Sequence, residues 1–247
     1  MDFSREEHLI AVLARLLEGV GHVAVGMASP IPGSGALLAR EMSGGTMRVS
    51  ILGGGVPQAW SDTGVEMFDC AAQGRIDAFF FGGGQIDGQA NINLVGVGDY
   101  PHQRVRWAGS FGSAYLYFLV PRVILFRQEH TRRVLVPNVD FISAPGTSDA
   151  NVHRPGGPTA LVTDLCRFSF DAGRRRFRLE SVHPGHSVEE VRDNTGFDFD
   201  MAEPVTETPA PTPDALELIR GPVARTIAHT YPVFAGRVFG IAEGAAP

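Results

Sequence analysis

Two short apolar runs that each end in three consecutive glycines constrain this chain most. Arg48–Leu52 runs into Gly53-Gly54-Gly55, and Ile76–Phe81 runs into Gly82-Gly83-Gly84. Apolar runs this short have the length of buried strands rather than helices. Helical patterns lie between such runs. Ser4 and Glu7 form a capping box, and Leu9, Val12, Leu13, Leu16 and Leu17 recur at helical spacing. They predict an amphipathic helix over residues 5–18, ended by Gly19 and Gly21. Val23–Gly26 reads as a short strand. Pro30, Pro32 and Gly33 mark a turn before a helix over Ala36–Met42. Ser61 is placed to cap a helix running to Ala72, with Gly74 just past its end. Ser113–Leu119 reads as a helix and Val123–Arg127 as the next strand. Strands alternating with helices predict an α/β fold with an open, mostly parallel sheet flanked by helices. In such sheets ligands bind beyond the carboxyl ends of the strands, where both glycine triplets stand.

The second half reads differently. Leu161–Phe170 and Phe177–Val182 flank a stretch beginning Asp171-Ala172-Gly173, which predicts a hairpin in a small β-rich C-terminal part. Ser187–Asp193 reads as a short helix. Residues 202–213, rich in Pro, Thr and Glu, read as an exposed connection, and Asp214–Arg220 as a helix. The remainder shows no clear pattern.

Composition excludes several chemistries. The chain has 247 residues, 44% of them hydrophobic and 19% charged, enough to bury a core. Its 21 basic and 27 acidic residues leave a net charge of −6, which argues against a nucleic-acid partner. The one dense basic run is Arg174, Arg175, Arg176 and Arg178. Every basic residue is Arg; without Lys there is no Schiff-base lysine and no Walker A loop. Two cysteines without a CxxC, Cys70 and Cys166, support neither a disulfide framework nor a zinc site, so no metal is expected. MDFSREEHLI carries no leader pattern, and the apolar runs fall far short of the roughly 20 residues of a membrane span. A cytoplasmic protein with reduced thiols and no membrane contact is expected.

The polar residues with chemical potential cluster after the second triplet. Glycines at 83 and 84 let the backbone approach a ligand and aim N–H groups at an anion or a carbonyl oxygen. Gln85, Asp87, Asn91 and Asn93 follow in quick succession. The same string also suits a loop that needs positive φ and self-bonding Asx turns. Gly53-Gly54-Gly55 is a second backbone cradle or a tight turn. Gly109-Ser110-Phe111-Gly112-Ser113 can open a helix. His183 and His186 are separated by Pro184 and Gly185 and read as turn residues. Glu129-His130 follows a strand and stands at the ligand edge or at the surface. No HExxH motif and no G-x-S-x-G elbow is present.

The string GGGQIDGQANIN, Gly82 to Asn93, resembles the GGAQID–GNIN signature of family I CoA-transferases, in the B-type or β chain of the pair, the glutaconate type being nearest. The likeness continues through Glu129-His130-Thr131-Arg132-Arg133 and Asn138-Val139-Asp140-Phe141-Ile142-Ser143-Ala144-Pro145-Gly146. It goes on through Val182-His183-Pro184-Gly185 and Asn194-Thr195-Gly196-Phe197 to Thr208 and Pro213–Arg220, covering residues 6 to about 222. The resemblance implies one domain like the B-type CoA-transferase chain over 1–247, with an extension from about 222, in the NagB/RpiA-like fold class. It implies an A-type (α) partner in a heterodimer or heterotetramer, a CoA thioester as substrate, and no permanently bound cofactor. Gly53, Gly54, Gly83, Gly84 and Gln85 would line the acyl-CoA or its oxyanion. Asp87, Asn91, Asn93 and His130 would support them.

The family mechanism uses a Glu of the B-type chain that attacks the thioester. That place, just after Arg48–Leu52, is occupied here by Gly53, so no catalytic residue is assigned within this chain. Two readings follow from the resemblance. One is an acyl-CoA-transforming subunit that moves CoA between an acyl-CoA and a carboxylate, its catalytic carboxylate coming from the partner; its alternative is a ring-opening hydrolase, as in the pairs that hydrolyse a ring carbon–carbon bond of a cyclic ketone CoA thioester, where the B-type chain also lacks the Glu. The other is a non-catalytic acyl-CoA-binding or regulatory subunit.

Overall fold

The computed structural model describes residues 2–53 and 64–241. The chain forms two compact units: Met1–Phe80 with Ala210–Pro247, and Phe81–Pro209.

The first unit begins with α1 (Arg5–Arg15). Ser4 accepts from the Glu7 backbone N–H at 3.1 Å, and Glu7 Oε2 accepts from the Ser4 N–H at 2.8 Å, so the capping box is complete. Strands β1 (His22–Val25) and β2 (Arg48–Ile51) pair in parallel, and β3 (Ala78–Phe81) lies parallel to β1 on its other side. Between them run α2 (Pro30–Met42) and α3 (Val65–Ala72). The structure corrects the turn expected at Pro30–Gly33, which is the first turn of α2. Pro30 stands at its start, where a missing N–H costs nothing, and the Gly33 N–H reaches Ser29 O at 2.9 Å. Two helical glycines permit close packing there. A Cβ at Gly35 would stand 2.9 Å from Leu13 Cβ, and one at Gly33 would stand 3.1 Å from Ile227 Cδ1. The expected cap Ser61 lies outside the described residues; α3 starts at Val65.

The second unit holds two small hairpins and a five-stranded run. The hairpins are β4 (Gln85–Ile86) with β5 (Ile92–Asn93), and β6 (Gly96–Val97) with β7 (Val105–Arg106). After α4 (Ser113–Leu119) come β8 (Arg122–Phe126), β9 (Pro158–Val162), β10 (Cys166–Asp171) and β11 (Arg176–Val182). Helix α5 (Val188–Asn194) and β12 (Asp200–Glu207) complete the unit. These strands lie in the order β12-β11-β10-β9-β8. The β8–β9 and β11–β12 pairs are parallel; the β9–β10 and β10–β11 pairs are antiparallel, the latter being the expected hairpin.

Two expectations for this half are corrected. Leu161–Phe170 is two strands, because Thr163 Oγ1 accepts from the Leu165 and Cys166 N–H groups and turns the chain. The connection expected over 202–213 is strand β12 as far as Glu207; its mostly exposed edge hides it from a burial pattern, and its pairing with β11 shifts register around Pro204.

The chain then returns to the first unit. Helix α6 (Pro213–Leu218) runs through a π-turn, Ile219–Val223, into α7 (Ala224–Thr230) and α8 (Pro232–Phe239), ended by left-handed Gly240. Past Arg220 the chain is thus helical as far as Phe239, with Pro222 and Pro232 breaking the periodicity that would have revealed it. Arg220 ties this segment to α1: its Nε lies 2.5 Å from Glu7 Oε1 and its Nη2 3.0 Å from Oε2. Glu7 is 5% exposed. Burial pushes its carboxyl up, but the Arg220 and Ser4 hydrogen bonds outweigh this and hold it below the usual carboxylate range. Arg220→Ala therefore removes a bidentate partner from a buried charge and lowers the unfolding free energy by about 2 kcal/mol. A denaturant midpoint equal to wild type would contradict this.

Candidate functional site

Asn93 organises the glycine-rich hairpin. Its carboxamide is fully buried and makes four contacts: Nδ2 donates to Gln85 Oε1 and to Gly96 O, each at 2.7 Å, and Oδ1 accepts from Val95 N and Gly96 N at 2.9 and 3.3 Å. Gln85 Oε1 also accepts from the Asp140 N–H at 3.0 Å. Two donors on one oxygen fix which end of the Gln85 amide is oxygen, leaving Nε2 as that side chain's donor.

Asp87 builds the turn. Its Oδ1 accepts from Gln89 N and Asn91 N, and its Oδ2 from Asn91 Nδ2, all at 3.0 Å. Asn91 Oδ1 accepts from Gly146 N at 3.1 Å. A second segment pairs alongside: Ile86 N reaches Val134 O at 2.8 Å and Val136 N reaches Ile86 O at 2.9 Å. Gln85, Asp87, Asn91 and Asn93 thus come together in one buried hydrogen-bonded frame.

The glycines of the hairpin answer to packing. Gly83 and Gly84 are not among the positive-φ residues. A Cβ at Gly83 would stand 2.6 Å from Ile92 Cγ2. One at Gly84 would stand 2.2–2.5 Å from three atoms of the Trp107 indole. The Gly84 N–H is already given to Asn93 O at 2.9 Å. Trp107 is held by its own N–H on Val95 O at 3.0 Å. No motif in the sequence points to this indole as the cover of Gly84.

Gly53 belongs to the first unit, at the end of β2. It has a left-handed φ of +71°, and a Cβ there would meet Met27 Cε at 3.4 Å. Met27 is 72% exposed on the loop after β1. Gly54 lies outside the described residues.

His130 sits in the core of the second unit, 6% exposed. Thr195 donates its hydroxyl to Val191 O at 2.7 Å, so it accepts from His130 Nε2–H at 2.9 Å. Thr163 already accepts two backbone N–H groups, so its hydroxyl donates to Nδ1 at 2.7 Å. Both contacts fit one neutral tautomer, and burial pulls the imidazole pKa down to about 4. Neighbouring Glu129 is pushed up by burial, but bonds from Thr131 and Arg133 outweigh this and hold it below the usual range.

Residues 7–194 match the coenzyme A transferase family. The chain belongs to that family. It is 40% identical over 162 residues to the B-type chain of 3-oxoadipate CoA-transferase from Pseudomonas knackmussii, a match covering 63% of this chain and 62% of that protein. The chain therefore spans less than two thirds of that relative's length. The IpdB chain of the cholesterol ring-cleaving hydrolase from Rhodococcus jostii is 26% identical over 234 residues, 89% of this chain and 92% of that one. The crystal structure of glutaconate coenzyme A-transferase from Acidaminococcus fermentans superposes with a TM-score of 0.78 at 25% identity, covering 98% of this chain and 99% of that one. The α/β class with a mostly parallel sheet agrees with this match. Among the described residues no helix is long and apolar enough to cross a membrane.

Gly84→Ala is expected to destabilise the protein by about 1–3 kcal/mol through overpacking against Trp107. Trp107→Ala in the same chain should recover most of that loss. A thermal shift for the double variant no smaller than the sum of the single shifts would show that the indole does not dictate this glycine.

Proposed function

We propose that this chain is the B-type member of a heteromeric cytoplasmic enzyme that moves CoA from an acyl-CoA to a carboxylate, working with an A-type partner. The match to the family over residues 7–194 carries this reading. The frame around Gln85 says what the chain contributes. Asn93 and the Asp140 N–H hold Gln85 Oε1, which leaves Nε2 as the donor we assign to the thioester carbonyl. Such a donor, fixed before reaction, stabilises the oxyanion without reorganising. Gly83 and Gly84 let Ile92 and the Trp107 indole close on the hairpin, Asp87, Asn91 and Asn93 brace it, and His130 braces the core of the same unit through Thr163 and Thr195.

The nucleophile is proposed to lie on the partner, because Gly53 stands where the family carboxylate is expected and its left-handed φ disfavours any side chain. The same observation favours a second reading. With no carboxylate from this chain, water can replace the acceptor, in a hydrolysis like that named for the IpdB relative.

The co-expressed pair, given a panel of acyl-CoAs with and without carboxylate acceptors, should form acceptor-CoA without accumulating free CoA. Free CoA or ring-opened product without acceptor-CoA would replace transfer by hydrolysis. Gln85→Glu keeps the oxygen that Asn93 and Asp140 hold but removes the donor. It should lower kcat about 10²-fold in a pair that still assembles, at a melting temperature lowered by the added buried charge. Wild-type turnover in that variant would remove Gln85 from the oxyanion site.

A further inference from the structure

Gln85, the side chain assigned above to the thioester carbonyl, is only 5% exposed. A donor so enclosed touches a substrate only after something covering it has moved. The residue before it has such a cover. The space where a Gly84 side chain would stand is filled by Cη2, Cζ3 and Cζ2 of Trp107, so the benzo edge of the indole rests directly on the Gly84 backbone. Trp107 itself is half-buried, a cover and not a core residue.

The cover and the hairpin beneath it are held very differently. Hairpin β4–β5 carries the Asn93 and Asp87 bonds, and Ile86, Ile92 and Asn93 are fully buried. Strand β6 shares that support. Asn93 bonds both the C=O and the N–H of Gly96, and the Asp140 carboxylate accepts from the Gly98 N–H at 2.7 Å. Strand β7, which delivers Trp107, has neither anchor. Both of its residues are exposed. It is joined to β6 by a two-residue ladder, and the Trp107 N–H adds one bond to Val95 O at 3.0 Å. The chain on either side of it turns at left-handed glycines, Gly98 with φ +100° and Gly109 with φ +97°. Glycine absorbs large backbone rotations without strain. An exposed strand with few bonds, set between two such residues, opens at low cost while the frame beneath stays closed.

We propose that Trp107 is the gate of the acyl-CoA site. In the free chain its indole occupies the face of Gly84. Acyl-CoA reaches the Gln85 amide when β7 carries the indole aside, pivoting at Gly98 and Gly109. The gate rests on the function proposed above and adds the residue that controls entry to that site. A closed resting state has a consequence of definite sign. The apparent dissociation constant is the intrinsic one divided by the fraction of open molecules, so removing the cover tightens binding. A tryptophan that packed against the ligand would do the reverse, and its loss would weaken binding.

The probe is coenzyme A, whose thiol end takes the place of the thioester sulfur. It is titrated calorimetrically into the co-purified pair carrying the wild-type, Trp107→Ala or Trp107→Phe chain. Phe keeps an aromatic ring on the strand but lacks the outer ring that rests on Gly84, so it answers the question where the Ala variant fails to fold. Removing the cover should tighten CoA binding about threefold or more. The pair is also grown with fluorotryptophan, and the fluorine resonance lost in Trp107→Phe is that of Trp107. Saturating CoA should raise the solvent-isotope shift of this resonance, as the indole leaves Gly84 for water. Binding that is tighter in neither variant, or a solvent-isotope shift that does not rise at saturating CoA, would overturn the gate. The two readings fail separately. CoA bound with the indole unmoved, together with normal acyl-CoA turnover, sinks the gate alone. Tighter CoA binding without the cover, but no CoA transfer from any acyl-CoA, supports the gate of a CoA site and sinks the proposed reaction. No saturable CoA binding to the wild type or to either variant sinks both.

Discussion

The buried carboxamide of Asn93 is the contact on which the rest of the candidate site depends. A hairpin with two-residue strands has too few ladder bonds to stand alone in water. Here one amide supplies four further bonds, to Gln85, Gly96 and Val95, from a position with no solvent to compete. Asp87 does the same for the turn, and the 134–136 segment pairs along β4. The outcome is a buried frame whose polar side chains are largely spent on internal bonds. The amide nitrogen of Gln85 is set apart from them by the two donors that fix its oxygen.

This changes what the glycines mean. A run of three glycines after a strand suggests backbone freedom, but Gly83 and Gly84 use none of it. They are glycines because Ile92 and the Trp107 indole occupy the space a side chain would need. Gly53 is the opposite case: among the described residues its space is bounded by the exposed Met27 alone, at an ordinary contact distance of 3.4 Å, and its φ of +71° is what selects the residue. Glycine platforms of different origin thus stand in the two units, one set by packing and one by conformation.

Much of the fold was legible because short-range physics dictates it. The Ser4–Glu7 box, the apolar runs of β1 to β3 and the Asp171–Gly173 turn each carry their signal within a few residues. Pro30 was misleading because proline suits a turn and a helix start equally. Strand β12 was hidden because its exposed edge carries no apolar alternation, and the helices after Leu218 because Pro222 and Pro232 interrupt their period. In the site, the GGGQID string announced itself, but Trp107 lies 23 positions from Gly84 and only folding brings them together. The pairing of Arg174 and Arg176 with Asp200 is equally invisible along the chain.

The account holds that this chain supplies a fixed donor surface and no nucleophile. Its most direct test is to incubate the co-expressed pair with acyl-CoA, reduce with borohydride, and read the intact mass of each chain. The account predicts that this chain keeps its unmodified mass while any reduced glutamyl adduct appears on the partner. A reduced glutamyl adduct on this chain would contradict it, placing the reacting carboxylate here after all.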